Sequence, residues 1–195
     1  MDQNSQLRRS LRQQRQKLTR NQQMVIELQC FKQMLRHRHF FNAQKIGLYL
    51  DAFGEIQTKL LIEYCCAIGK TVYLPMICNM NKKLVWVKIS NRQFRNRRFS
   101  LHRLGMLEPM ASRAKHISIL DLVVMPLLAC DLKGSRMGMG GGFYDRTLAS
   151  AAHRPHRLGL AHNFQLLLTH ELKRNPWDQP LDSLITPAKT YYFRR

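Results

Sequence analysis

The sequence predicts one α/β domain: an open, mostly parallel sheet flanked by helices, with an N-terminal helical segment ahead of it. Three observations carry this expectation. Short continuous apolar runs, typical of strands buried on both faces, alternate along the chain with segments of helical period. A chain of 195 residues that is 45% apolar suits a single domain with a sizeable core. A glycine-rich joint follows the most apolar run and precedes a helix, the place where an open α/β sheet puts its ligands. The single domain is expected to span 1–195, with N-terminal helices in 1–40 and the α/β core in 45–187.

The first helix is expected near 5–17, where Leu7 and Leu11 stand four apart among Arg, Gln and Ser. Thr19 to Gln22 reads as a capping box. It opens a second helix near 20–38, with Met24, Leu28, Phe31 and Leu35 on one face. Ile46 to Leu50 reads as a strand, and Ile56 to Ile68 as a helix with Gly69 at its C-terminal cap position. Thr71 to Leu74 is a second strand stopped by Pro75, and Leu84 to Ile89 a third. Asn91 to Leu101 shows no period. Asp121 to Met125 reads as a buried strand, Tyr144 to Ala152 as a helix, and Arg157 to Ala161 and Leu184-Ile185 as the last strands.

Composition excludes several classes. The longest apolar stretch, Leu122 to Cys130, falls well short of the about 20 residues a bilayer requires. The N-terminus lacks the apolar core of a secretory signal. Five cysteines without metal spacing read as reduced thiols in a cytoplasmic protein; no membrane partner is expected, and a monomer is expected although the sequence does not fix the oligomeric state. The formal charge is +20. Residues 1–45 hold ten basic and two acidic side chains, and residues 82–115 ten basic and one acidic. Such a field attracts polyanions: nucleic acid, nucleotides or a polycarboxylate.

Asp131 to Arg146 carries the chemistry. Four of the five residues from Gly138 to Gly142 are glycine, which permits positive φ and close approach of backbone N–H groups to an anion. A helix N-terminus would add its positive end. Arg136 and Arg146 suit phosphate oxygens, while Asp131 and Asp145 suit a magnesium ion bridging phosphates. Neither familiar nucleotide motif is complete. Gly69-Lys70-Thr71 has Tyr64 where a P-loop needs its first glycine, and Phe143 takes the last glycine position counted from Gly138.

Arg136-Met-Gly-Met-Gly-Gly-Gly-Phe-Tyr-Asp-Arg146 resembles the signature of the 5-formyltetrahydrofolate cyclo-ligase family, in its bacterial branch. Asp121 to Asp131, Gly54-Glu-Ile-Gln-Thr58, Gly105-Met-Leu-Glu-Pro109 and Trp177-Asp-Gln-Pro-Leu-Asp-Ser-Leu-Ile-Thr-Pro187 are similar to further family blocks, in order along nearly the whole chain. The resemblance implies an ATP- and magnesium-dependent ligase that cyclises 5-formyltetrahydrofolate to 5,10-methenyltetrahydrofolate, releasing ADP and phosphate, in one-carbon folate metabolism. A basic rim would favour a polyglutamate tail on that folate.

The resemblance also implies roles. Arg8, Arg12, Arg136, Met137, Gly138, Met139, Gly140, Gly141, Gly142, Phe143 and Tyr144 fall on the ATP-binding segments. Leu50, Glu55 and the stretch Met139 to Phe143 fall on folate contacts. Asp145 and Asp178 fall on the magnesium carboxylates, with Arg136 and Asp145 as the catalytic pair. The chain departs from the family pattern in four places. Arg8 stands where Lys is usual, trading a point charge for a fork. Met137 replaces Leu, Cys130 replaces Phe, and Gly141 sits where some members have Lys. Asp131 could orient Arg136 or sit near magnesium. His162 reads as a satisfied, partly buried histidine rather than a general base. The alternative from another class is a basic nucleic-acid-binding protein on an enzyme-derived scaffold, motivated by the charge and by Arg92, Arg95, Arg97, Arg98 and Arg103. It would leave the glycine loop and its carboxylates without a purpose.

Overall fold

The computed structural model describes residues 3–110, 113–168 and 172–194. Helices α1 (Gln3–Gln16), α2 (Arg20–Leu35) and α3 (Arg38–Asn42) lead into β1 (Lys45–Gly47), α4 (Lys59–Ala67) and the hairpin β2 (Thr71–Cys78)–β3 (Lys83–Ile89). Then come α5 (Asn91–Arg95), β4 (Phe99–Leu101), β5 (Leu107–Pro109), β6 (Leu122–Pro126), β7 (Ala129–Asp131), β8 (Arg136–Met137) and α6 (Phe143–Leu148). The chain closes with β9 (His156–Leu160), β10 (Leu166–Leu167), β11 (Ser183–Ile185) and β12 (Thr190–Tyr192).

Among the described residues the main sheet has seven strands in the order β12-β11-β9-β6-β1-β2-β3. The inner strands from β11 to β2 run parallel, and antiparallel β12 and β3 close the edges. This is the expected open, mostly parallel sheet. It is buried on both faces, as the continuous apolar runs require. In β6, Leu122 and Val124 point into the core shared with α2 and α4, while Val123 and Met125 point into the opposite core with Trp86, Leu120 and Leu148.

The α2 capping box forms as expected: Gln22 N donates to Thr19 Oγ1 at 3.3 Å and Thr19 N to Gln22 Oε1 at 2.8 Å. Two other expectations for this helix fail. It ends at Leu35 rather than 38, because Arg36 caps it and His37 turns extended to start α3. Of the expected face Phe31 packs on the core against Tyr64, but Met24 (55%), Leu28 (46%) and Leu35 (38%) are exposed, and Glu27, Cys30 and Met34 are buried instead. The reason is a polar contact that apolar spacing does not register. The Glu27 carboxylate accepts the Leu60 N–H at 3.0 Å, satisfying an orphan donor in the first turn of α4. Thr58, at the N-cap of α4, spends its hydroxyl on Tyr49 O instead.

Pro75 does not stop β2. It lies opposite Trp86, whose own N–H and C=O pair outward with Lys115. Pro75 therefore occupies a position of the β2–β3 ladder that needs no N–H, and β1 on its other side has already ended. The unpatterned stretch after Ile89 contains α5, capped by a Ser90–Gln93 box, and β4. The helix expected over 144–152 is Phe143–Leu148, and the one expected over 56–68 is Lys59–Ala67 with Gly69 at φ +77 beyond it. The β7–β8 hairpin intervenes between β6 and the glycine segment, which the sequence reading placed directly after the strand.

Gly47 sits in the inner strand β1, where a Cβ would lie 2.7 Å from both Leu120 and Trp86. Trp86 is fully buried and has no room to give. Gly47→Ala is expected to lower unfolding free energy by about 1–3 kcal/mol with an unchanged m-value. Urea denaturation checks this; an unchanged midpoint would contradict the packing described.

Candidate active site

The strand order reverses at β1: the chain proceeds outward on one side through β2 and β3, and on the other through β6, β9 and β11. Loops leaving the carboxyl ends of β1 and β6 therefore diverge, and a crevice opens between them. It holds a cavity of about 960 Å³. Every residue assigned by resemblance lines it: Arg8 and Arg12 of α1, Leu50 and Glu55 after β1, Arg136 to Asp145, and Asp178.

The glycine segment forms one wall. Gly140 has φ +98, and a Cβ there would meet nothing within 4 Å, so the backbone is bare at this point. Gly142 (φ +62) caps α6. That helix has only six residues, so its dipole adds less than the sequence reading expected. Thr147 anchors it, donating to Phe143 O at 2.6 Å and accepting Leu84 N at 2.7 Å from β3. Arg8 crosses 130 residues of sequence to donate Nε to Gly138 O at 3.2 Å. Arg146 donates to Gly141 O and stacks over Phe143.

Arg136 is almost fully buried and donates Nη2 to Asp145 Oδ1 at 2.6 Å. Its Nε is buried with no hydrogen-bond partner, and its guanidinium lies 5.7 Å from the Tyr144 ring centroid. Asp145 Oδ1 also accepts Gln179 N at 3.0 Å. Asp178 Oδ2 accepts Asn175 N at 2.7 Å, closing the turn before Pro180. Among the described residues no three His, Cys, Asp or Glu side chains are grouped to hold a metal. Two carboxylates on one cavity fit an ion that keeps waters and draws its remaining oxygens from a phosphate, as magnesium does.

Across the cavity, Glu55 follows a tight turn in which Glu55 N donates to Ala52 O at 3.0 Å. Burial pushes the Glu55 carboxyl up to about 7, against the opposing pull of Arg15 and of the Ala52 N–H. Arg15 Nη2 lies 3.9 Å from Glu55 Oε1. This is a through-space pair, because the guanidinium spends its N–H groups on Phe53 O and Leu127 O.

Two residues with open roles are now placed. Asp131 accepts the N–H groups of Lys133, Ser135 and Leu172 at 2.9, 2.8 and 3.0 Å. It organises the β7–β8 turn and contacts neither Arg136 nor the cavity. His162 is buried with Nε2 3.0 Å from Gly54 O, and its ring stacks on Phe164; Nδ1 is buried without a hydrogen-bond partner, so the histidine is satisfied at one nitrogen rather than at both. The sequence reading missed Arg15, whose three-residue spacing from Arg12 was the available signal. It also gave no role to Trp177, 67% exposed on the cavity. Arg92, Arg95, Arg97 and Arg98 do not line the cavity.

A model of the 5-formyltetrahydrofolate cyclo-ligase family matches residues 1–187. The 5-formyltetrahydrofolate cyclo-ligase of Escherichia coli (strain K12) is 34% identical over 185 residues, 93% of this chain and 98% of that protein. The enzyme of that name from Haemophilus influenzae is 33% identical over 183 residues, 92% of this chain and 95% of its own. The NMR structure of Aquifex aeolicus 5,10-methenyltetrahydrofolate synthetase shares the fold, with a TM-score of 0.82 over 98% of this chain and 93% of that one at 24% identity. With the expected sheet, the assembled cavity and this match along almost its full length, the chain belongs to the 5-formyltetrahydrofolate cyclo-ligase family.

Proposed function

We propose that the cavity joins ATP to 5-formyltetrahydrofolate and closes the ring to 5,10-methenyltetrahydrofolate, releasing ADP and phosphate. The observation that carries this reading is the facing of two unlike walls. The bare backbone at Gly140, with Arg8 and Arg136 beside it, suits phosphate. The Glu55 turn opposite is apolar-backed and suits a pterin. The nucleic-acid alternative has no support in this arrangement.

The chemical difficulty is a formyl carbonyl attached to nitrogen, a poor electrophile whose oxygen leaves badly. In the proposed reaction that oxygen attacks the γ-phosphorus of ATP and the bond to the ADP oxygen breaks. The 10-nitrogen then attacks the activated carbon and gives up its proton to solvent, and the carbon–oxygen bond breaks as that oxygen departs with phosphate. The protein's part is positioning and charge neutralisation. The glycine N–H groups and Arg8 hold the triphosphate, and Arg136, fixed by Asp145, adds positive charge beside the transferring phosphoryl group. Asp145 and Asp178 would hold magnesium, which when bound neutralises phosphate charge. Glu55, ionised, accepts N–H groups of the pterin. For a polyglutamate tail, Lys173 and Arg146 are cavity-lining cations not given to the triphosphate or to Glu55, whereas the 92–98 run does not line the cavity.

Purified protein mixed with 5-formyltetrahydrofolate, magnesium and ATP should develop methenyl absorbance; folded protein that gives none would refute the reading. Asp145→Asn should keep the fold and lower kcat roughly 100-fold or more. A normal rate at limiting magnesium would remove Asp145 from this role.

The pH dependence has a definite sign. The Glu55 carboxyl is raised from its ordinary 4.5 to about 7 by burial, so folding favours its protonated form. Its contribution to stability is present below about 4.5 and is lost as pH rises through about 7. Substrate capture needs the ionised form, so kcat/KM should rise with pH through about 7, as expected for a free-enzyme group. Glu55→Gln should flatten that limb in a kcat/KM profile; a limb that persists would assign it to another group.

A further inference from the structure

The turn that carries Glu55 is unusual. Phe53 has φ +53 and Gly54 φ +74, two successive left-handed residues between Ala52 O and Glu55 N. For Phe53 this conformation is strained, and it persists only where the surroundings over-determine it. No strand ladder does so, because β1 ends at Gly47 and α4 begins only at Lys59.

Both carbonyls of the turn are instead taken by buried side chains from elsewhere. Arg15 of α1 donates Nε and Nη2 to Phe53 O at 3.1 and 2.9 Å. His162, two residues past β9, has Nε2 3.0 Å from Gly54 O. That carbonyl can only accept, so Nε2 carries the proton. Burial holds the ring below its ordinary value, toward neutrality. Each side chain is 1% exposed or nearly so. Arg15 Nη1 also reaches Leu127 O at 3.3 Å, just beyond β6. One guanidinium thus links the chain leaving β1 to the chain leaving β6, the two sides of the crevice. The turn packs tightly on α1: a Cβ on Gly54 would lie 3.0 Å from Arg15 O.

We propose that Arg15 and His162 are positioning residues, a two-point clamp that fixes the Ala52–Glu55 turn so that Glu55 meets the substrate in one orientation. Neither is assigned to the reaction by the resemblance, and the inference rests on the cyclo-ligase reading of the cavity. A buried cation is costly to bury and an apolar side chain would fill the space more cheaply. Arg15 is therefore held for what its fork and charge do. The two members act differently. The ionisable groups influencing Glu55 are Arg15 from α1, Asp51 and Tyr49 from the chain after β1, and Tyr144 from α6. Of these Arg15 alone is a cation. His162 touches the turn only through its backbone.

The test is a comparison of pH-resolved kinetics for the intact enzyme and its variants, with KM for 5-formyltetrahydrofolate and for ATP measured separately. Arg15→Gln should raise the folate KM roughly tenfold or more, leave the ATP KM near its starting value, and move the kcat/KM limb to higher pH. Arg15→Lys should restore the limb without restoring the folate KM, because an ammonium keeps the charge and loses the fork. His162→Ala should raise the folate KM with the limb unmoved. Gly54→Ala, which leaves every charge in place, should raise the folate KM alone, and it decides the matter if Arg15→Gln does not fold. Variants that lower Tm but leave the folate KM and the limb unchanged would overturn the clamp. A wild-type enzyme forming no methenyl product would overturn the cyclo-ligase reading instead, so the two failures are distinct.

Discussion

The three-residue strand β1 sets the rest of the structure. It pairs in parallel with β2 on one side and β6 on the other, and the chain connects to those neighbours in opposite directions. Parallel pairing on both sides forces the following segments to leave from the same edge, and the reversal forces them apart. Strand side chains cannot fill the gap because they point above and below the sheet. What enters it comes from loops and from α1, and those elements carry the chemistry.

Charge in the crevice follows a consistent pattern. Two arginines are buried there, each with one carboxylate: Arg15 beside Glu55 and Arg136 on Asp145. The first pair is loose and leaves the Glu55 carboxyl raised by burial. The second is a short hydrogen bond that still leaves Arg136 Nε without a partner. Arg8 and Arg12 add further cations, tied to Gly138 O and to the Phe53 ring. The excess is positive on both walls, from Arg8 beside the glycine segment and from Arg12 over the turn that carries Glu55.

Much of this was legible in the sequence. The central strands were, because β6 and its neighbours are buried on both faces and read as unbroken apolar runs. The glycine wall was, because four glycines at a strand-to-helix joint have a physical reason to be there only if something approaches the backbone. Other features depend on contacts that no local pattern encodes. The packing face of α2 is set by Glu27 capping another helix, so of the apolar stripe Phe31 packs inward while Met24, Leu28 and Leu35 are exposed. Pro75 survives inside β2 because its neighbour strand is short. The roles of Arg15 and His162 are fixed by backbone carbonyls 38 and 108 residues away, and Arg15 in the sequence is one arginine among many in α1.

The central claim is that the two substrates meet at the strand reversal, on opposite walls of one cavity. Hydrogen exchange read by mass spectrometry on the intact protein, with each ligand added separately, tests it most directly. ATP with magnesium should protect amides in 138–142, and 5-formyltetrahydrofolate should protect those in 52–55. The amino-terminal edge of the sheet, at Leu122 and His156, should be unchanged by either. Protection by ATP centred on Arg92 to Arg98, or on the Asp131 turn, with 138–142 unaffected, would contradict the account.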